Sequence, residues 1–291
     1  MEKNNTFGIE IEFEGVYLKE LAKSFYKTDL PILYQTFHKE FKPKYDVWYL
    51  DSDMTVSRYL NSDFKGGELS SRIFYSIDDC RDEIHDVCNI LKDEGAYSSL
   101  FCSNHITVDV SQDINSYFYE ALCKIIAVYE NDITLFYMGD KYFVRKSKEQ
   151  YAAGMGLRLQ KYLDRIKFND KTHMFEIMSE TDSFGLHDGI SFYKLPMKGL
   201  MEVRYPNGSL DDKVILNYIK FTLQLVKAIR DKKFDLEYLD SLLEEIRNDK
   251  DQVLNAFKLV ERPELFYEFL DIISDDGSFK EQYQKVLATR K

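Results

Sequence analysis

Cysteine is scarce and unpatterned in this sequence. Cys80, Cys88, Cys102 and Cys123 form no CxxC pair and no dense framework, which argues against a disulfide-stapled scaffold or a zinc ribbon and leaves reduced structural thiols as the expectation. Proline is equally sparse, with five residues against 21 Tyr and 21 Phe, a balance that excludes a disordered or low-complexity chain. No run of about 18 apolar residues occurs, and Met1 to Thr6 lead into the first strand without an apolar signal region, so a soluble cytoplasmic protein with no membrane partner is expected. Positive charge is in deficit. The formal net charge of -11 argues against a general nucleic-acid binder, because neutralising phosphates needs a basic surface. A phosphate-cradling loop of the P-loop type is missing as well, since Gly154-Met155-Gly156 lacks the lysine and helix context.

What is present is a chain of 291 residues, 44% hydrophobic and 31% charged, large enough to bury a sizeable core as one large domain or two ordinary ones. Its most informative stretch is Phe7-Gly8-Ile9-Glu10-Ile11-Glu12-Phe13-Glu14. Strand alternation puts Phe7, Ile9, Ile11 and Phe13 on one face and Glu10, Glu12 and Glu14 on the other. Neighbours on that face sit roughly 7 Å apart, and away from water each pair repels by roughly 2 kcal/mol at an effective dielectric of about 20. Two readings stand: a half-buried strand with a solvated outer face, or one wall of a divalent-cation site.

Further strands repeat the design. Val47 to Leu50 leads into Asp51-Ser52-Asp53, and Gly66-Gly67 reads as a flexible turn into Glu68-Leu69-Ser70-Ser71, with Glu68 and Ser70 on one side. In His105-Ile106-Thr107-Val108-Asp109-Val110 the apolar residues share one face and His105, Thr107 and Asp109 the other. Gly189 to Phe192 and Leu200 to Tyr205 read as paired strands, the second with Glu202 and Arg204 on a common face. Helical spacing marks 16–34 through Leu18, Leu21 and Phe25, interrupted at Pro31, then 77–94 ending at Gly95, 117–137, a capped helix opening at Ser209-Leu210-Asp211-Asp212 to about 229, and shorter helices around 235–248, 251–260, 262–274 and 278–289. The stretch from 141 to 171 is basic for so acidic a chain, with Arg145, Lys146, Lys148, Arg158, Lys161 and Arg165. It fits a solvated helix face or contacts to an anionic ligand such as a polyphosphate.

If these strands form one antiparallel sheet, Glu10, Glu12, Glu14, Glu68, His105, Asp109, Glu202 and Arg204 converge on a single acidic surface. Several carboxylates with few His or Cys suit hard cations, and Mg²⁺ or Mn²⁺ commonly takes substrate phosphates as further ligands. The expected fold class is α+β, an antiparallel sheet with one polar face and a helical C-terminal region packed on or beside it, which the family resemblance described next makes a curved sheet with a catalytic face backed by helices.

The motifs Phe7-Gly8-Ile9-Glu10-Ile11-Glu12-Phe13, Asp53-Met54-Thr55-Val56, Gly66-Gly67-Glu68-Leu69-Ser70, Asn104 to Val110 and Met201-Glu202-Val203-Arg204 follow one another in an order that resembles the amidoligase family, relatives of glutamine synthetase and glutamate-cysteine ligase. The resemblance spans roughly 7–225 and implies a glutamine synthetase-type catalytic domain over 1–230 with a helical extension over 231–291. It implies ATP and Mg²⁺ (or Mn²⁺) as cofactors, and small-molecule or peptide substrates, a carboxylate and an amine, joined through an acyl phosphate. By matching position, Glu10, Glu12, Glu68 and Glu202 would be metal ligands, with His105 near metal or nucleotide phosphate, Arg204 on the transferred phosphoryl group and Asp53 on the amine. Thr107 stands where family members commonly carry a second histidine, and Asp109 offers an oxygen ligand nearby. Arg145 and Arg158 are the candidates for ATP phosphate or substrate carboxylate. The same surface could serve a phosphotransferase acting on a guanidino or other nitrogen, a retired ligase that binds nucleotide without turnover, or a generic α+β protein with wet strand faces.

Overall fold

The computed structural model describes residues 5–34, 46–53, 55–56, 58–60, 63–139, 154–168, 188–191, 194–248 and 261–289. The chain divides into two compact units, Met1–Val108 with Phe143–Ser147 and Pro206–Lys220, and Asp109–Tyr142 with Lys148–Tyr205 and Phe221–Lys291. The C-terminal tail, read from the sequence as an extension, falls in the second unit together with the long central helix. Among the described residues no helix is long and apolar enough to cross a membrane.

The first unit runs β1 (Phe7–Tyr17), α1 (Leu18–Phe25), β2 (Ile32–Tyr34), β3 (Trp48–Asp51), β4 (Arg58–Leu60), β5 (Asp63–Ser70), α2 (Ile77–Asp93) and β6 (Asn104–Asp109). Its strands lie in the order β2-β3-β5-β1-β6, with β4 also on β5. The expected all-antiparallel sheet is in fact mixed: β3–β5, β4–β5, β5–β1 and β1–β6 are antiparallel, while β2 and β3 run parallel. A parallel pair needs a crossover connection rather than a hairpin.

Register explains why this sheet holds together. Leu50, Leu69 and Ile11 stand side by side on β3, β5 and β1, and all three are fully buried. Phe7 opposes Val108 and Ile9 opposes Ile106 on the same face. Each such side chain contributes roughly 1.5–3 kcal/mol by leaving water. Leu21 and Phe25 of α1 and Ile84, Val87 and Leu91 of α2 are buried too, and Trp48 on β3 donates its indole N–H to Glu83 of α2 at 2.9 Å. Ser76 caps α2 by accepting from the Asp79 amide, and Gly95, at φ +83°, ends it. Its two cysteines and the other two are all free and buried, and burial pushes the Cys80 and Cys88 thiols up to about 12.

Gly66-Gly67 lies inside β5 rather than in a turn. Gly66 has φ +104° beside the irregularity that shifts the β1–β5 register between Phe13 and Tyr17. At Gly67 a Cβ would fall 2.2 Å from the Asp51 carbonyl oxygen, so glycine is what lets β3 come alongside.

In the second unit α3 (Ser116–Phe136), started by Asn115 accepting from the Phe118 amide at 3.0 Å, is buried over nearly its whole length. It is apolar on most sides because it is packed on most sides. Around it lie α4 (Gly156–Tyr162), α7 (Leu236–Asn248), α8 (Pro263–Ile273) and α9 (Ser278–Thr289). Buried Lys124 is held by Glu120 and Asp240, and buried Asp132 accepts from the Tyr283 hydroxyl of α9 and the Arg262 amide that precedes α8. The short α5 (Lys194–Lys198) leads into β7 (Leu200–Val203), which bridges Ile190 as the paired-strand reading expected. The helix α6 (Asp212–Arg230) is divided between the units after Lys220. The helix expected around 251–260 lies outside the described residues.

Gly67→Ala, the smallest substitution that forces β3 and β5 apart, should destabilise the protein by roughly 1–3 kcal/mol or more, read as a lowered denaturant midpoint with unchanged slope. A midpoint within error of wild type would show that the close approach is not needed.

Candidate active site

The face of the first unit's sheet opposite Ile11 carries two polar rows. In one, Asp51, Glu68 and Glu12 are direct neighbours on β3, β5 and β1; in the next, Tyr49, Ser70, Glu10 and His105 line up across β3, β5, β1 and β6. The alternation that buries Leu50, Leu69 and Ile11 thus brings three carboxylates into register on three adjacent strands. Asp53, just past the end of β3, joins them: one carboxylate oxygen each from Glu12, Asp53 and Glu68 lies within 4.8 Å of the others.

Each neighbour of Glu68 has a hydrogen-bond partner of its own. The Ser103 amide donates to Glu12 at 2.6 Å, the Ser52 amide to Asp51 at 2.7 Å, and both the amide and the hydroxyl of Thr55 to Asp53 at 2.6 and 2.7 Å. Glu10 Oε2 lies 3.0 Å from His105 Nδ1. Glu68 absorbs the resulting conflict. Burial first, then the charges of Glu10, Asp53, Glu12 and Asp51, push its carboxyl up to about 9.

An acid so perturbed marks a place where positive charge is wanted. The donors at Glu12, Asp53 and Glu68 are all oxygen, the choice of hard divalent cations, and oxygens bound to one ion at roughly 2.0–2.6 Å stand no more than about 4–5 Å apart. The arrangement fits such an ion.

Of the residues expected from the sequence, Glu10, Glu12, Asp53, Glu68 and His105 are therefore brought together in the first unit. Glu14, two residues beyond Glu12 on β1, is bridged through its backbone to Tyr97. Asp109 stands at the end of β6, four residues beyond His105, where its carboxylate accepts from the Ser111 amide at 2.9 Å. Glu202 and Arg204 belong to the second unit. There Glu202, 1% exposed, accepts from Arg204 at 2.8 Å, and its other oxygen lies 2.8 Å from the Lys194 ammonium in an ion pair without hydrogen-bond alignment. Arg158, also in the second unit, donates to buried Asp188 and to the Gly154 carbonyl. Arg145 lies outside the described residues.

Three residues escaped the motif reading. Asp51 was legible from the alternation Trp48, Leu50 against Tyr49, Asp51, but only the register shows it beside Glu68. Ser103 precedes β6 and had no motif to mark it. Glu130, buried in α3, accepts from the Met155 and Gly156 amides and from the Tyr205 hydroxyl at 2.6 to 2.7 Å, holding the start of α4. No spacing announced it.

Because Glu68 holds its proton more tightly when folded than when unfolded, its effect on stability is most favourable below the ordinary carboxyl range and declines as pH rises to about 9. In the metal-free protein Glu68→Gln should raise the melting temperature at about pH 9 by the equivalent of roughly 1–3 kcal/mol, with the gain shrinking toward about pH 5. Thermal scans across pH check this, and a difference that does not vary with pH would contradict it.

The sequence matches over residues 3–226 the family described as "Putative amidoligase enzyme". No curated protein matches the chain in sequence. Among solved structures, a bifunctional glutathione synthetase from Pasteurella multocida is similar in fold, with a TM-score of 0.50 and 11% identity. The likeness covers 99% of this chain and 47% of that one, so the chain spans about half the length of that enzyme. The match over most of the sequence and the carboxylate cluster raised on its glutamate motifs lead to one conclusion: this chain is a member of the amidoligase family.

Proposed function

We propose that the protein is an ATP-dependent carboxylate–amine ligase working on a sheet of the glutamine synthetase type. The observation that carries this reading is the grouping of Glu12, Asp53 and Glu68 within ligand distance of one another, in a chain of this family. A carboxylate is a poor electrophile, so amide formation needs its oxygen activated. In the proposed reaction a substrate carboxylate oxygen attacks the γ-phosphorus of ATP and ADP leaves. The amine nitrogen then attacks the acyl carbon, loses a proton, and phosphate departs with the former carboxylate oxygen.

Glu12, Asp53 and Glu68 would hold Mg²⁺ or Mn²⁺, which supplies charge neutralisation and polarisation of phosphoryl oxygens. Asp53, expected from its motif to handle the amine, is assigned to that oxygen cage, because its carboxylate oxygen lies within 4.8 Å of those of Glu12 and Glu68. Glu10 and Asp51 enlarge the negative field that draws the ion in. The roles of Glu202 as a further ligand and Arg204 as a phosphoryl-binding fork rest on their motif, and that of Arg145 on its charge alone. Arg158 is a weaker candidate for phosphate, since Asp188 engages its guanidinium. The substrates are proposed to be small molecules or peptides. The proposed compartment is the cytoplasm, where ATP is abundant and four free buried cysteines stay reduced.

The test is incubation of the purified protein with ATP, Mg²⁺ and pools of amino acids and amines, one carboxylate labelled with ¹⁸O. ADP and phosphate should form in step with a condensation product, only when both substrates are present, with the label in phosphate. Glu12→Gln and Glu68→Gln should each reduce product formation at least about 100-fold while leaving the fold intact. A stable phosphorylated product would mean a phosphotransferase, and tight nucleotide binding without turnover a retired enzyme.

A further inference from the structure

Three donors from distant parts of the second unit meet on the Glu130 carboxylate of α3: the Met155 and Gly156 amides at 2.6 and 2.7 Å, and the Tyr205 hydroxyl at 2.6 Å. The two amides open α4, but the hydroxyl belongs to the residue next to Arg204. Burial, with Glu130 beside it, holds that hydroxyl well above its ordinary pKa, so it remains a donor. Glu130 and Tyr205 are 4% and 3% exposed, so water does not compete for the bond.

The Tyr205 ring is held as closely as its hydroxyl. A Cβ at residue 189 would fall 2.0 Å from the ring, so glycine there is what leaves the slot open. Tyr137 lies nearly parallel to it, with 16° between the planes and centroids 6.5 Å apart, and is itself tied to Thr222 by a hydroxyl–hydroxyl bond of 2.7 Å. The backbone joins the same assembly, since the Ser191 amide donates to the Glu202 carbonyl at 2.9 Å and the Arg204 amide to the Gly189 carbonyl at 2.8 Å. Side chains alternate along so extended a segment, so Val203 and Tyr205, both buried, share the face opposite Glu202 and Arg204. Whatever fixes Tyr205 therefore sets the direction in which Arg204 leaves the chain. A phenylalanine would fill the same slot; the hydroxyl adds a directional bond to a carboxylate on the central helix.

We propose that Glu130 and Tyr205 are positioning residues: through their hydrogen bond they aim the Arg204 guanidinium, the group assigned to the transferred phosphoryl. The inference rests on the proposed function for what Arg204 binds, while the aiming itself does not depend on it.

Tyr205→Phe, which keeps the ring and deletes the bond, is the test. In the full chain labelled with ¹⁵N-arginine, the Arg204 signals are identified by their loss in Arg204→Lys. The wild type should show two separate Nη signals, because the guanidinium is held against Glu202, and in Tyr205→Phe these should merge as the group begins to rotate. In the ligase assay Tyr205→Phe should lower kcat about 10- to 100-fold with KM for each substrate changed no more than about twofold. In an Arg204→Lys background the same substitution should cost nothing further, because its effect passes through the guanidinium. A bond that only stabilises the fold predicts a lower melting temperature with kcat of the folded protein and the Nη signals unchanged; that result, or an undiminished loss in the Arg204→Lys background, would overturn the proposal. If Tyr205→Phe does not fold, Glu130→Gln, which weakens the bond and keeps the hydroxyl, is read in the same way, and failure of both to fold would overturn a role local to Arg204. Absence of turnover in the wild type would overturn the ligase reading, and the Nη signals would still decide the positioning.

Discussion

Three carboxylates held in register across β3, β5 and β1 are the constraint on which the site depends. Adjacent strands are about 4.8 Å apart, and at an effective dielectric of about 20 like charges at that spacing repel by roughly 3 kcal/mol a pair. Left alone, that face would push the strands apart. The opposite face prevents it: Leu50, Leu69 and Ile11 are fully buried behind the same three strands, and the glycine at 67 lets β3 approach closely enough for the row to form. The apolar face holds a surface that its own charges oppose, and the strain emerges as the raised proton affinity of Glu68.

The backbone supplies donors to the carboxylates around Glu68. Amides of Ser103, Ser52 and Thr55 donate to Glu12, Asp51 and Asp53, and Glu10 has the imidazole of His105 beside it. Such donors cost nothing to organise at the moment a ligand arrives, because the turns and strand pairing have already placed them. The first unit thus groups its carboxylates by architecture, not by any one residue.

In the second unit polar groups serve mainly to hold helices in place. Glu130 secures the start of α4, Asp132 gathers α8 and α9 onto α3, and Lys124 ties α3 to α7. Burial raises Asp132 to about 6, so part of the packing around α3 depends on a group that titrates near neutrality. None of these buried partnerships had a signature in the sequence, because each joins residues far apart in the chain whose identities are ordinary.

The strand period of Phe7 to Glu14, the helical spacing of 77–94 and 117–137, the unpatterned cysteines and the order of five short motifs were enough to determine an α+β chain of amidoligase type and to single out Glu10, Glu12, Glu68 and His105. These are local properties, legible because side chains alternate with a fixed period and because Gly and capping residues mark where elements stop. Tertiary structure alone decided the rest. Register placed Asp51 beside Glu68 and Ser103 between Glu12 and His105, moved Gly66-Gly67 from a turn into β5, and made β2 run parallel to β3. Pairing between strands distant in sequence is a long-range choice, won by whichever arrangement buries the most apolar surface and satisfies the most backbone groups. A single strand's pattern specifies its two faces but not its neighbours.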